Sequence, residues 1–148
     1  MFQKLEGLEK WGMVVLQLAL GSIYFLHGAQ KFFGPSFYGV AWDAYLGFFQ
    51  KFGITPAPLW LWVVTITELV GGLCIVFGFL TRFWAAGLVI DATVAVIKVH
   101  SNVGFFWLRP GGGLEFPMTL GLIALSLMLM GPSFLAVDRA IGVEKPAA

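Results

Sequence analysis

Polar residues are sparse along this chain, and between them lie four apolar blocks, residues 11–33, 59–80, 83–100 and 114–130. A hydrocarbon core of roughly 30 Å takes about 20 helical residues at 1.5 Å each, so each block reads as a membrane-spanning helix. The block at 59–80 is about 33 Å long as a helix, and Glu68 is its only charged side chain. A carboxylate near the bilayer centre costs at least about 2.5 kcal/mol, which sends it to a protein interior or a wet cavity. Gly71 and Gly72 follow it at i+3 and i+4, and without side chains they let a neighbouring helix come close. A cleaved signal sequence is the competing reading of the first block. Its length, and the lack of a small-residue cleavage pattern after it, favour a retained span.

The polar positions inside the blocks are patterned. In the first block Gln17, Tyr24 and Lys31 are spaced by sevens, with His27 between the last two. Such a stripe belongs at a seam between helices rather than against lipid. The third block carries Asp91 in its middle and Lys98 two turns on, and ends at His100; the fourth has Glu115 at its mouth. Between the first two blocks, residues 41–52 place aromatic rings at 42, 45, 48, 49 and 52. That spacing predicts a short amphipathic helix lying in the membrane interface. Gly53 to Pro58 then turns the chain into the second span, while Arg109-Pro110-Gly111 marks a turn before the fourth.

Composition agrees with this pattern. Of the 148 residues, 59% are hydrophobic and 11% charged, against roughly 25% charged in soluble domains. Mean hydropathy is +0.87. The length allows one domain, 1–148, and the net charge of +1 with no basic stripe gives nucleic acid no footing. Cys74 is the only cysteine, which excludes an intrachain disulfide or a paired-cysteine redox centre. It reads as a small buried hydrophobe.

Four spans with short or interfacial connections predict an all-α antiparallel four-helix membrane bundle with both termini on one side. With the termini inside, Lys4, Lys10, Arg82, Arg139 and Lys145 are cytoplasmic, and Lys31, Lys51, Lys98 and Arg109 are not. The excess of one follows the positive-inside rule. This topology gathers His27, Gln30, Lys31, Lys98, His100 and Glu115 at one mouth, with Glu68 and Asp91 deeper. The constellation has three readings. It is a pocket where His27 or His100 donates to a quinone carbonyl while Glu68 or Asp91 relays protons; or it lines a path for a proton or small solute; or the charges are structural pairs in a non-catalytic scaffold for partner enzymes. No dense ligand spacing such as His-x-x-x-His supports a metal.

Larger motifs run across these blocks. They are His27-Gly28-Ala29-Gln30-Lys31-Phe32-Phe33-Gly34, Gly53-Ile54-Thr55-Pro56, Glu68-Leu69-Val70-Gly71-Gly72, Gly78-Phe79-Leu80-Thr81-Arg82, His100, Glu115-Phe116-Pro117 and Gly131-Pro132. Together they resemble the DoxX family of small bacterial membrane proteins, which includes relatives of the DoxD subunit of thiosulfate:quinone oxidoreductase. The tail departs from the pattern, with Ala136-Val137-Asp138 where relatives often carry Ser-Leu-Asp. The resemblance implies four transmembrane helices in a bacterial inner membrane and an association with redox chemistry. In one branch that chemistry is quinone reduction, and in another it is assembly with soluble enzymes. It implies no tightly bound cofactor. The residues expected to bind a quinone are His27, Lys31, His100 and Glu115, with Glu68 and Asp91 relaying protons. A soluble oxidoreductase subunit or further copies of the chain are the expected protein partners.

Overall fold

The computed structural model describes residues 7–106, 108 and 112–144, all helices, turns and loops with no strand among them. The expected turn at Arg109-Pro110-Gly111, and Lys4 and Lys145 of the charge count, lie outside the described residues. Helix α1 spans Glu9–Phe33, α2 Trp42–Lys51, α3 Ala57–Ile66, α4 Gly72–Phe77, α5 Thr81–Val94, α6 Glu115–Met130 and α7 Val137–Ala140. A π-helical turn, Thr67–Gly71, joins α3 to α4, and a second, Ala95–His100, extends α5.

Three continuous helical stretches, Glu9–Phe37, Ala57–Phe77 and Thr81–His100, are long and apolar enough to cross a bilayer. The fourth, α6, is apolar but shorter, at 16 residues. Large apolar side chains such as Val15, Phe83, Ile90 and Leu129 are about two-thirds exposed, at 64%, 66%, 65% and 65%. In lipid this exposure costs nothing, because the surrounding tails are as apolar as the side chains.

The second span ends earlier than the apolar run suggests. Gly78 takes a left-handed backbone and terminates α4, and Leu80 is left-handed too. Residues 78–80 therefore form the turn into α5. Apolarity continues through this turn, so hydropathy alone cannot mark the end of the helix.

The main core lies between α1, α4, α5 and α6, where Leu20, Ile75, Leu88, Ala124 and Leu127 are fully enclosed. Helix α6 runs along α5, and α1 along α4 and the first π turn. A second, smaller cluster seats Phe49 of α2 against Ala57 and Leu61 of α3, with the Trp42 and Trp62 rings 4.7 Å apart. The expected helix after the first span is thus present, and it docks by its aromatic face.

The tail folds back on the α4–α5 turn. Asp138 is 1% exposed, and its carboxylate accepts the Leu80 and Thr81 N–H groups at 2.7 and 2.8 Å. It caps the start of α5 from 57 residues away in sequence, which satisfies donors with no intrahelical partner. Gln17 accepts the Ser133 N–H at 2.9 Å, while Arg82 donates to the Met128 and Leu129 carbonyls and pairs with Glu144. The polar stripe on α1 is therefore divided, with Gln17 serving this clasp. Asp138→Ala should lower stability by about 1–3 kcal/mol, with a smaller loss for Asp138→Asn, which keeps one acceptor oxygen. Thermal unfolding in a mild detergent measures both.

Candidate functional site

Helix α1 places Tyr24, His27 and Lys31 at spacings of three and four, on one face. All three line a cavity of about 790 Å³. Glu68, from the first π turn, and Asp91, from α5, open into the same space. Helices α2 and α3 add aromatic and apolar walls, including Tyr45, Phe48, Phe49, Trp60 and Val63. Lys98 and His100 come from the second π turn; Lys98 is exposed and His100 half-buried. Polar groups therefore converge on a space whose walls are mostly apolar, the general form of a small-molecule site.

Lys31 and Glu68 form an ion pair in which Lys31 Nζ donates to Glu68 Oε2. Their side chains are 15% and 7% exposed, so water screens the attraction little. The pair depends on close approach of the two helix backbones. A side chain at Gly28 would collide with the Glu68–Leu69 backbone, and one at Gly72 with the Phe25 backbone. At Gly21 a Cβ would lie 2.8 Å from the Gly72 carbonyl oxygen. Gly71 does something else, since its missing side chain makes room for the Trp84 ring of α5. The two adjacent glycines thus serve different neighbours, and only Gly72 receives the expected helix backbone.

The π turn at Thr67–Gly71 was not legible as such. It adds a residue to the turn carrying Glu68 and rotates the faces on either side by about 100° relative to a regular helix. The Gly71-Gly72 pair, which weakens a helix locally, is the one sequence signal for it. The second π turn, Ala95–His100, carries no comparable signal.

The two histidines differ. His100 Nδ1 lies 3.0 Å from the Ala95 carbonyl oxygen. A carbonyl only accepts, so Nδ1 carries the proton and Nε2 is the nitrogen left for another partner. His27 is half-buried, its ring tilted against Phe116 with centroids 6.0 Å apart. It lines the large cavity and also a second pocket of about 620 Å³, shared with Glu115, Phe116 and Thr119.

His27, Lys31, Glu68, Asp91, Lys98 and His100 thus meet at one cavity. Glu115 borders only the second pocket, and Gln30 borders neither. Asp91 is half-buried and has no hydrogen-bond partner among the described residues. Among those residues no three His, Cys, Asp or Glu side chains converge as a metal site would require. The sequence stripe did not point to the α2 and α3 side chains that wall the cavity, because only the docking of α2 brings them there.

Apolar helices of spanning length around a buried ion pair define an integral membrane protein in contact with lipid. The chain belongs to the DoxX family, whose model matches residues 12–101. It is 31% identical over 128 residues to a Bacillus subtilis protein named "Putative oxidoreductase CatD", covering 86% of this chain and 84% of that one. It is 27% identical over 145 residues to an uncharacterised membrane protein of Mycobacterium tuberculosis, covering 91% and 84% of the two chains. An uncharacterised protein of Haemophilus influenzae is 27% identical over 139 residues, covering 93% and 89%. No solved structure matches the chain.

Removing one partner of the Lys31–Glu68 pair should cost more than removing both. Glu68→Leu leaves a largely buried ammonium unpaired, at about 3–5 kcal/mol, whereas Glu68→Leu with Lys31→Met should recover most of that loss. A double-mutant cycle on unfolding in detergent reads the coupling.

Proposed function

We propose that this chain is the membrane subunit of a redox system and that its cavity takes a quinone or a similarly flat, lipid-soluble carbonyl compound. The carrying observation is the cavity itself, aromatic on the α2–α3 side and bordered by His27, Lys31, Glu68, Asp91 and His100. A quinone ring stacks on aromatic walls and needs donors at its carbonyls. Lys31 is a donor, and His27, whose ring no described residue hydrogen-bonds, can present an N–H to a quinone carbonyl; His100, with its Nδ1 proton on the Ala95 carbonyl, offers Nε2 as an acceptor for a quinol hydroxyl. Glu115 would act from the adjoining pocket rather than on the ring.

A quinone reduced to its quinol gains two electrons and two protons. The electrons come from a partner oxidoreductase, and the chain holds no metal, flavin or other tightly bound group of its own. The Bacillus subtilis relative's printed name is in keeping with redox work. Glu68 and Asp91 exchange the protons, and Asp91 is the better placed, because Lys31 already engages Glu68. Copies of the chain or a soluble oxidoreductase complete the assembly.

In this reading residues 1–148 form one domain, an antiparallel bundle of four transmembrane helices with α6 as the fourth span. It lies in a bacterial inner membrane with both termini cytoplasmic, and α2 lies in the opposite interface. Several features support this reading. Helix α6 packs along α5 and is apolar through most of its length. In α2, Asp43 occupies the first turn and Lys51 the last, which complements the helix dipole and keeps both charges near water. With Cys74 replaced by serine, an impermeant thiol reagent should label Gln50→Cys from outside the cell. It should label Ile141→Cys only after the membrane is opened.

The direct functional test is photolabelling with an azido-quinone in native membranes. Labelling should map to α2, α3 or the cavity face of α1, and should fall about tenfold or more in His27→Ala and in His100→Ala, the loss expected for a buried polar contact. Labelling that is absent, or unchanged in both variants, would make the chain a scaffold for partner enzymes instead.

A further inference from the structure

We infer that the cavity holds an amphiphile with a compact polar head and one long apolar chain. The head meets the Tyr24 hydroxyl, and the chain leaves sideways into lipid between α3 and α5. This pose rests on the cavity's being a quinone-type site, and it adds where such a ligand enters and which way it points.

The second and third spans touch at one level and part at the next. At Gly87 a Cβ would lie 3.1 Å from the Thr67 methyl, so α5 and the first π turn are in contact there. Beyond that level α3 packs on α1 and α2, α5 packs on α6, and the cavity lies between them. Trp60 and Val63 line it from α3, and Ile90 and Val94 from α5. None of the four is buried, and the two valines are 41% and 39% exposed. Each therefore edges the cavity while keeping another side outside it. Val63 and Val94 both lie six residues inside the cavity-side ends of their spans, Ala57 and His100. That is about 9 Å of helical rise, a depth at which acyl chains rather than water surround a spanning helix. An opening there with aliphatic and indole edges admits an apolar chain at little cost.

The inner end of the cavity is polar. Tyr24 is 4% exposed and lies one turn further along α1 from Lys31 than His27 does. A buried phenol ordinarily finds a hydrogen-bond partner. The Tyr24 hydroxyl has none among the described residues, and its oxygen is not sealed within protein either. It therefore opens onto the cavity that Tyr24 lines. A hydroxyl both donates and accepts, so it serves a carbonyl or a hydroxyl on the ligand equally well. A ring with one oxygen on Tyr24 turns its far edge to the gap, and a chain on that edge passes between Val63 and Val94. The reversed pose would press the chain against Tyr24, Asp91 and the Lys31–Glu68 pair, leaving polar groups without partners.

The pose is tested by equilibrium binding to the full chain in lipid nanodiscs, with uptake by empty nanodiscs subtracted. Two radiolabelled probes share a benzoquinone ring, one bearing a decyl chain and the other a methyl group. Val63→Trp and Val94→Trp narrow the gap from its two sides. Each should lower the decyl probe's affinity about tenfold more than the methyl probe's, because chain and indole cannot share the space. Ile97→Trp, on the lipid face outside the cavity, should leave both affinities at the wild-type value. Tyr24→Phe removes only the oxygen, and should weaken both probes alike by about three- to tenfold. A merely structural tyrosine or a loosened fold would not produce this crossed pattern, with one variant acting on the ring and two on the chain. A decyl-to-methyl ratio that stays at the wild-type value in both tryptophan variants overturns the lateral exit. Wild-type affinity for both probes in Tyr24→Phe overturns the placement of the head. In either case the probes still bind, and the cavity reading survives without the pose. If neither probe binds the wild-type chain, the cavity reading fails and the pose falls with it.

Discussion

The structure depends on a cation and an anion meeting where water is scarce. Lys31 and Glu68 come from different spans, and each alone would be costly to hold in a low-dielectric interior. Their contact requires α1 and the second span to lie closer than side chains normally permit. Gly21, Gly28 and Gly72 remove the obstacle, and at each of them a Cβ would strike the facing backbone. Small residues at the crossing and a charge pair at its end are one device, since neither works without the other. The same crossing puts the His27 face of α1 on the cavity that Glu68 and Asp91 also line. The π turn belongs to this arrangement as well. It presents Glu68 to α1 while Gly71, within the same turn, admits Trp84 from the other side.

The opposite end of the molecule solves a different problem. The turn between α4 and α5 is tight, with left-handed Gly78 and Leu80, and it leaves the first N–H groups of α5 without partners. Asp138 supplies acceptors for two of them, and Gln17 and Arg82 tie the chain after α6 to the same place. Asp138, Gln17 and Arg82 hold elements together here through their hydrogen bonds, while the buried Thr81 hydroxyl makes none to a described residue. At the cavity end, Asp91 has no hydrogen bond to a described residue, and His27 borders two separate spaces. The charged side chains of the clasp are engaged by protein partners, whereas Asp91 and His27 face cavity space, and that separates the structural cluster from the candidate functional one.

The chain's own residues carried much of this in advance. Long apolar runs with a few isolated charges demand membrane helices, because no other environment accepts such surfaces at so little cost. Interior placement of Glu68 followed from the cost of exposing a carboxylate to lipid, and the aromatic spacing of residues 42–52 specified a short helix with an apolar face. Side chains three and four residues apart had to share a face, which gathered Tyr24, His27 and Lys31 before any contact was known. These are local or solvation constraints, and a linear sequence records them directly.

What the tertiary structure alone decided involves partners distant in sequence. Glu68 met Lys31 rather than a histidine because backbone approach at three glycines set the register between two helices. Glu115 fell outside the main cavity because α6 places Phe116 and Pro117 there instead. Asp138, which the sequence showed only as part of a tail motif without a role, became a helix cap because the chain after α6 returns to the α4–α5 turn. The cavity walls came from α2, whose aromatic spacing predicted an apolar face without saying what that face would cover. Periodicity and solvation fix which face of a helix is polar. Which polar groups meet depends on crossing geometry and on single-residue insertions such as the π turns, and those are settled only when the helices pack together.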